Sequence, residues 1–187
     1  MKFRILSISA ILVSLLAGCS SIDGDQVSVE SAQAVNDQMT IKRDAITNSL
    51  DLQTESYWTK CEDVWEGVGY RYRSSFYQSG NQHTQLYIRL KSSQGAFGIN
   101  KAFDDNGENY TVDVYQPEVK SDSVVHENFA VNFTTEQLEK ASKGPLVMHL
   151  KGEKNDCTFT VDQPVSYAFY LNFVELNKQV QEQLEHH

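Results

Sequence analysis

The chain predicts a mainly β domain, an antiparallel β-sandwich or open barrel with one short helix and a C-terminal helix. Three features of the 187-residue sequence lead there. Apolar and polar residues alternate with a period of two in several separate stretches. Turn-forming Gly, Asn, Asp and Ser residues punctuate those stretches. Helical spacing appears cleanly only twice, and late in the chain.

The folded part is predicted to start near Met39. Ile41, Leu50 and Leu52 sit in short alternating runs that read as one or two strands ending near Tyr57. In the next run Val68, Tyr70 and Tyr72 point one way, with Phe76 further along, and Arg71 and Arg73 point the other. Ser79-Gly80-Asn81 turns the chain, and Leu86, Ile88 and Leu90 then alternate with Tyr87, Arg89 and Lys91, which predicts a long hairpin. A further run spans Ala96 to Phe103. Asn106-Gly107 follows, a pair that tolerates the positive φ of a tight hairpin turn. Tyr110, Val112 and Val114 continue the alternation until Pro117 interrupts the ladder. Phe129, Val131 and Phe133 share one face of the next strand.

Thr134 and Gln137 have the spacing of a capping box, and Gly144-Pro145 stops the helix they open. That helix is only about two turns long, so it needs packing to persist. Leu146, Met148 and Leu150, then Cys157, Phe159 and Val161, predict an antiparallel pair around the Lys154-Asn155-Asp156 turn. Pro164 suits the start of a last helix, whose stripe is Phe169, Phe173, Leu176 and Val180. Tyr167 to Val174 is apolar nearly all round and fits a strand as well.

The first residues carry a different message. Lys2 and Arg4 precede an apolar run from Ile5 to Leu16, the layout of a secretory signal and too short for a membrane span of roughly 20 residues. Leu16-Ala17-Gly18-Cys19 resembles the lipobox of bacterial lipoproteins. The resemblance implies that residues 1–18 are removed and that Cys19 is acylated and becomes the mature N-terminus. The other reading is an ordinary signal peptide cut near Gly18. Lipoproteins of this class carry several acyl chains, palmitate among them, and each buried CH₂ adds about 0.8 kcal/mol to membrane binding. Ser20 stands where Asp would retain such a protein at the inner membrane, so the resemblance implies the outer membrane, facing the periplasm. Residues 19–38 read as a polar tether, with a short helix near Val27–Val35 as an option. Residues 39–183 form one domain, and 184–187 read as the remnant of an expression tag, which removes His186 and His187 from consideration as ligands.

Two cysteines remain in an oxidising compartment, Cys61 and Cys157, and they have one pairing available. A disulfide is predicted between them; two buried thiols are the alternative. The formal charge of −9 argues against a nucleic-acid partner. No nucleophile elbow, zinc-helix motif or phosphate loop is present. Asp104, Asn106 and Glu108 read as a solvated turn in preference to a calcium loop, because Gly107 falls at the wrong position. His126, Glu127 and His149 would meet only if their strands were neighbours, and ordinary strand histidines are the simpler reading. No catalytic residue, metal site or cofactor is therefore predicted.

The aromatic supply offers a binding surface. Trp58, Trp65, Tyr77 and Tyr87 accompany Arg71 and Arg73 in the first half of the chain. Aromatic faces beside guanidinium groups suit sugars, carboxylates or a partner protein. Core and cross-strand packing would explain most of the same residues. Phe103 to Phe173, with Glu127, the Thr134–Gly144 helix and the Leu150–Gly152 strand end, is similar to the β-rich parts of small envelope lipoproteins. Lysozyme-inhibitor lipoproteins share the size and the disulfide, but Ser79-Gly80-Asn81-Gln82 leads to His83 where those proteins have Tyr. The expectation is a membrane-anchored, non-catalytic module that binds an envelope protein or the cell wall. A lipid or small-ligand carrier is the alternative, and an uncharacterised enzyme comes third.

Overall fold

The computed structural model describes residues 29, 31–62, 67–115, 118–119 (backbone only) and 124–185. The signal segment, Cys19, most of the tether, Trp65, Pro117, His186 and His187 lie outside the described residues. The elements are α1 (Ala32–Gln38), β1 (Thr40–Asp44), β2 (Ser49–Gln53), β3 (Tyr57–Lys60), β4 (Gly67–Tyr77), β5 (Gln82–Ser92) and β6 (Ile99–Asp104). They continue with β7 (Asn109–Val114), β8 (Glu118–Val119), β9 (Val125–Phe133), α2 (Thr135–Ser142), β10 (Leu146–Gly152), β11 (Cys157–Val161) and α3 (Gln163–Glu185).

Among the described residues eleven strands form one curled sheet in the order β1-β2-β4-β5-β9-β7-β6-β10-β11, with β3 beside β4 and β8 beside β9. Every pairing is antiparallel. This is the mainly β, open-barrel class that the alternation predicts. The hairpin β4–β5 forms its spine, with ten paired residues from Gly67↔Lys91 to Phe76↔Gln82. β2 and β3 share the other edge of β4, and Thr54 bridges the break between them. Its backbone N–H donates to Tyr72 O at 3.0 Å, and its Oγ1 accepts from Tyr72 N at 3.1 Å.

The two ends of the curl meet at the predicted disulfide. Cys61 and Cys157 are bonded with Cα atoms 5.1 Å apart, and Glu62 N donates to Thr158 O at 2.8 Å. Two strands far apart in the sheet order thus close most of a barrel.

α3 covers the inner face. Phe169 stacks on Tyr72 with centroids 5.0 Å apart, and Phe173 packs on Phe76 at 5.4 Å. The Tyr72 hydroxyl, wholly buried, shares a 3.1 Å hydrogen bond with Ser166 Oγ, which satisfies both polar groups inside the core. Each fully buried Phe contributes roughly 1.5–3 kcal/mol through lost apolar exposure. The segment from Tyr167 to Val174, open to two readings in the sequence, is helix. Its apolar character all round has a simple consequence: one side enters the core while Tyr167, Leu171 and Val174 remain exposed.

Both remaining helices dock on α3. The α2 capping box forms as its spacing predicts, with Gln137 N donating to Thr134 Oγ1 and Thr134 N to Gln137 Oε1. In α1, Ser31 caps Ala34 N, Val35 is buried, and Asn172 Nδ2 donates to Asn36 Oδ1 at 2.8 Å. The last residues of the stretch read as tether are therefore packed on the domain.

Candidate functional site

With α3 on the inner face, strand parity sends the alternate side chains of β3, β4 and β5 to the open face. Pairing then sets them in rows. Trp58, Gly69 and Arg89 form one row, Arg71 and Tyr87 the next, and Arg73 and Gln85 the third. β9 adds Asn128 beside Arg89 and Asn132 beside Gln85, and β7 adds Asp113 and Tyr115. Four of the six predicted surface residues (Trp58, Arg71, Arg73 and Tyr87) are brought together. Tyr77 is not with them. It lies eight residues along β4 from Gly69, about 27 Å at roughly 3.4 Å per residue, and lines a separate hollow with Arg43, Leu50 and Val180.

Tyr87 organises the cluster. The Arg71 and Arg73 guanidinium carbons lie 5.2 and 4.9 Å from its ring centroid, within cation–π range. Its hydroxyl donates to Asn128 Oδ1 at 3.0 Å, an oxygen that also accepts Arg89 Nε at 3.0 Å. Arg73 Nε donates to Gln85 Oε1 at 2.9 Å, and Arg73 Nη2 to the Tyr115 hydroxyl at 3.0 Å. Gln85 Nε2 in turn reaches Asp113 Oδ2 and Asn132 Oδ1. His83 Nε2 meets Asn132 Oδ1 at 2.7 Å.

Three guanidiniums thus sit close together, and among the described residues none of them forms an ion pair with a carboxylate. Arg71 goes further: its Nε is buried and has no hydrogen-bond partner. Desolvating a donor without pairing it is costly, and such groups in native proteins call for an explanation. A guanidinium laid on an aromatic ring keeps its in-plane N–H edge available, the edge that takes carboxylate or phosphate in two parallel bonds.

Trp58 lies flat over Gly69. A Cβ at that position would sit 3.1 Å from the indole, so the glycine lets the ring approach the strand. Two hollows flank Arg71. One, of about 230 Å³, is lined by Ser56, Trp58, Gly69, Arg71, Tyr87 and Arg89. The other, of about 410 Å³, includes Arg73, His83, Asp113 and Tyr115.

The other residues singled out in the sequence do not converge. β9 and β10 are separated by β7 and β6, so His126 and His149 are not cross-strand neighbours. Glu127 points inward, where its carboxylate accepts Phe97 N and Ile99 N at 2.7 Å each and Gly98 N at 3.2 Å. It pins the loop between β5 and β6. His149 joins Thr158 Oγ1 to Asp105 Oδ1 on the far half of the sheet. Asp104 Oδ1 accepts Asn106 N and Glu108 N, each at 2.9 Å, and is spent on holding its own turn. Among the described residues no group of His, Cys, Asp and Glu is placed to hold a metal ion.

Sequence reading missed Gln85, Asp113, Tyr115, Asn128 and Asn132 as members of the site. Parity alone marks Asn128 and Asn132 as facing away from Phe129, Val131 and Phe133; that β9 lies beside β5 is not legible locally. No protein-family model, curated protein or solved structure matches the chain significantly.

Proposed function

We propose that the chain is a membrane-anchored, non-catalytic module of the cell envelope that takes its partner, a protein or the cell wall, on the open face of the sheet. The lipobox-like Leu16-Ala17-Gly18-Cys19 supports the anchor, and Ser20 after it, where Asp would signal retention at the inner membrane, supports the outer membrane, facing the periplasm. The observation that carries the binding reading is the guanidinium cluster on Tyr87, with a buried Arg71 Nε that has no hydrogen-bond partner among the described residues. Around it stand aromatic faces, amides and the Asp113 carboxylate, which Gln85 and Asn132 hold. His83 is paired to the Asn132 amide and forms no ion pair among the described residues, which favours recognition over acid–base chemistry.

In-cell photocrosslinking of the full chain tests this. A photoreactive residue replacing Tyr115, on the open face, is expected to give a discrete adduct that one replacing Glu175, on the outside of α3, does not. Arg89→Glu should weaken that adduct about tenfold or more while leaving the melting temperature within a few degrees. An adduct of equal yield from both positions, or one indifferent to Arg89→Glu, overturns the proposal.

A further inference from the structure

Charge on the open face is graded along the strands. At one end the described outward residues of β3, β4, β5 and β9 are Lys60, Trp58, Gly67, Gly69, Arg71, Lys91, Arg89, Tyr87, His126 and Asn128, with no carboxylate among them, and Glu118 of β8 pairs with His126. Asp51 stands further along, in the row of Ser75, and Asp113 is held by Gln85 and Asn132. A chain of formal charge −9 thus presents a local cationic end, and it surrounds the Trp58 slot.

We infer that this slot takes a carboxylate-bearing sugar ring of an acidic glycan; the inference rests on the proposed open-face binding. Three observations point there. The slot, at about 230 Å³, falls below the roughly 300–1,000 Å³ of sites for drug-sized ligands and suits one ring. Its wall is the Trp58 indole held flat on Gly69, while its rim carries Ser56, the Arg71 and Arg89 guanidiniums and Tyr87. A pyranose has that same division, an apolar C–H face and a polar edge, and a ring carboxylate would reach the terminal nitrogens of Arg71 and Arg89. The third observation concerns the guanidiniums. β4 and β5, which carry Gly69, Arg71, Tyr87 and Arg89, are interior strands with neighbours on both sides, whereas β3, which carries Trp58, pairs with β4 alone. A ligand seated on Arg71 and Arg89 is therefore met by side chains and not by a strand edge, as in sugar recognition.

Calorimetric titration of the full chain with tri-galacturonate, neutral tri-galactose and penta-glutamate tests the inference. Tri-galacturonate is expected to bind at least tenfold more tightly than either of the others and to weaken as salt rises. Arg89→Ala should reduce that affinity about tenfold or more, the loss of a charge-assisted hydrogen bond. Trp58→Ala should do likewise, and Trp58→Phe should recover most of the loss because a ring returns to the wall. Equal binding of penta-glutamate means that the face reads charge alone and overturns the glycan assignment. Absence of tri-galacturonate binding overturns it too. The Tyr115 adduct tells the two failures apart: if it still depends on Arg89, open-face binding stands and only the ligand class is wrong.

Discussion

Along β4, Val68, Tyr70, Tyr72 and Phe76 face α3 and are at most 2 % exposed, whereas Arg71, Arg73 and Ser75, one residue out of phase, face outward and stay partly exposed. The inner set is closed on itself. Tyr72 stacks on Phe169, bonds Ser166 and meets the edge of Phe133. The outer set is equally well organised by Tyr87 and Asn128 but, among the described residues, leaves the buried Arg71 Nε without a hydrogen-bond partner. Aromatic rings occupy both faces, so aromatic content does not separate core from site. Along β4, hydrogen-bonding capacity does: the Tyr72 hydroxyl is paired with Ser166, whereas Arg71 Nε has no partner among the described residues.

The contrast can be broken most forcefully from the inner side. Phe169→Ala should cost about 3–5 kcal/mol through lost burial and the cavity left against Tyr72, read as a lower urea midpoint with an unchanged slope. A loss below about 1 kcal/mol would mean that α3 is not what closes the inner face.

The seam that joins the ends of the curl comes next. Replacing Cys61 and Cys157 together by Ala removes a cross-link between residues 96 apart in sequence and should cost about 2–5 kcal/mol. Because β3 ends at Cys61, the same change should loosen Trp58 over Gly69. Greater quenching of Trp58 fluorescence by a soluble quencher, read in a variant without Trp65, is the measurement. Unchanged quenching would uncouple the seam from the open face.

A smaller effect sharpens the difference between the faces by pH. Burial, and for Tyr70 then the charge of Asp162, pushes the Tyr70 and Tyr72 phenols above their ordinary 10.0. The native chain therefore keeps protons that the unfolded chain loses near pH 10. Stability is full below that pH and falls as pH rises past it, by at most about 1.4 kcal/mol per phenol per pH unit. Tyrosinate absorbance from these two residues should appear only together with unfolding, which Tyr70→Phe and Tyr72→Phe variants would assign. Their ionisation well before the loss of far-ultraviolet circular dichroism would contradict the closed inner face.

Much of this was legible before any coordinates. The Thr134–Gln137 capping box and the β4–β5 hairpin follow from local rules, because capping and strand parity depend on neighbours a few residues apart. Tyr77 shows where such reading stops. It has the right parity and residue type, yet six residues of extended chain carry it away from Arg71. Asn128 shows the reverse, a residue with no chemical signature of its own that holds both Tyr87 and Arg89 once β9 pairs with β5. Glu127, beside it, gives no local sign of its task, which is that of a buried clasp for the Phe97–Ile99 backbone.

By itself the sequence determined the β class, the phase of each long strand, the helix stops and, with Cys19 taken as acylated, one pairing for Cys61 and Cys157. Each of these rests on covalent geometry or on elimination within a short list. Tertiary structure alone decided the strand order, the side of the sheet that α3 covers, and hence which alternate residues stay open to solvent. Those outcomes depend on closing long connections and on burying one apolar face in preference to the other. No local period encodes them, because the free energy that selects them belongs to the folded chain as a whole.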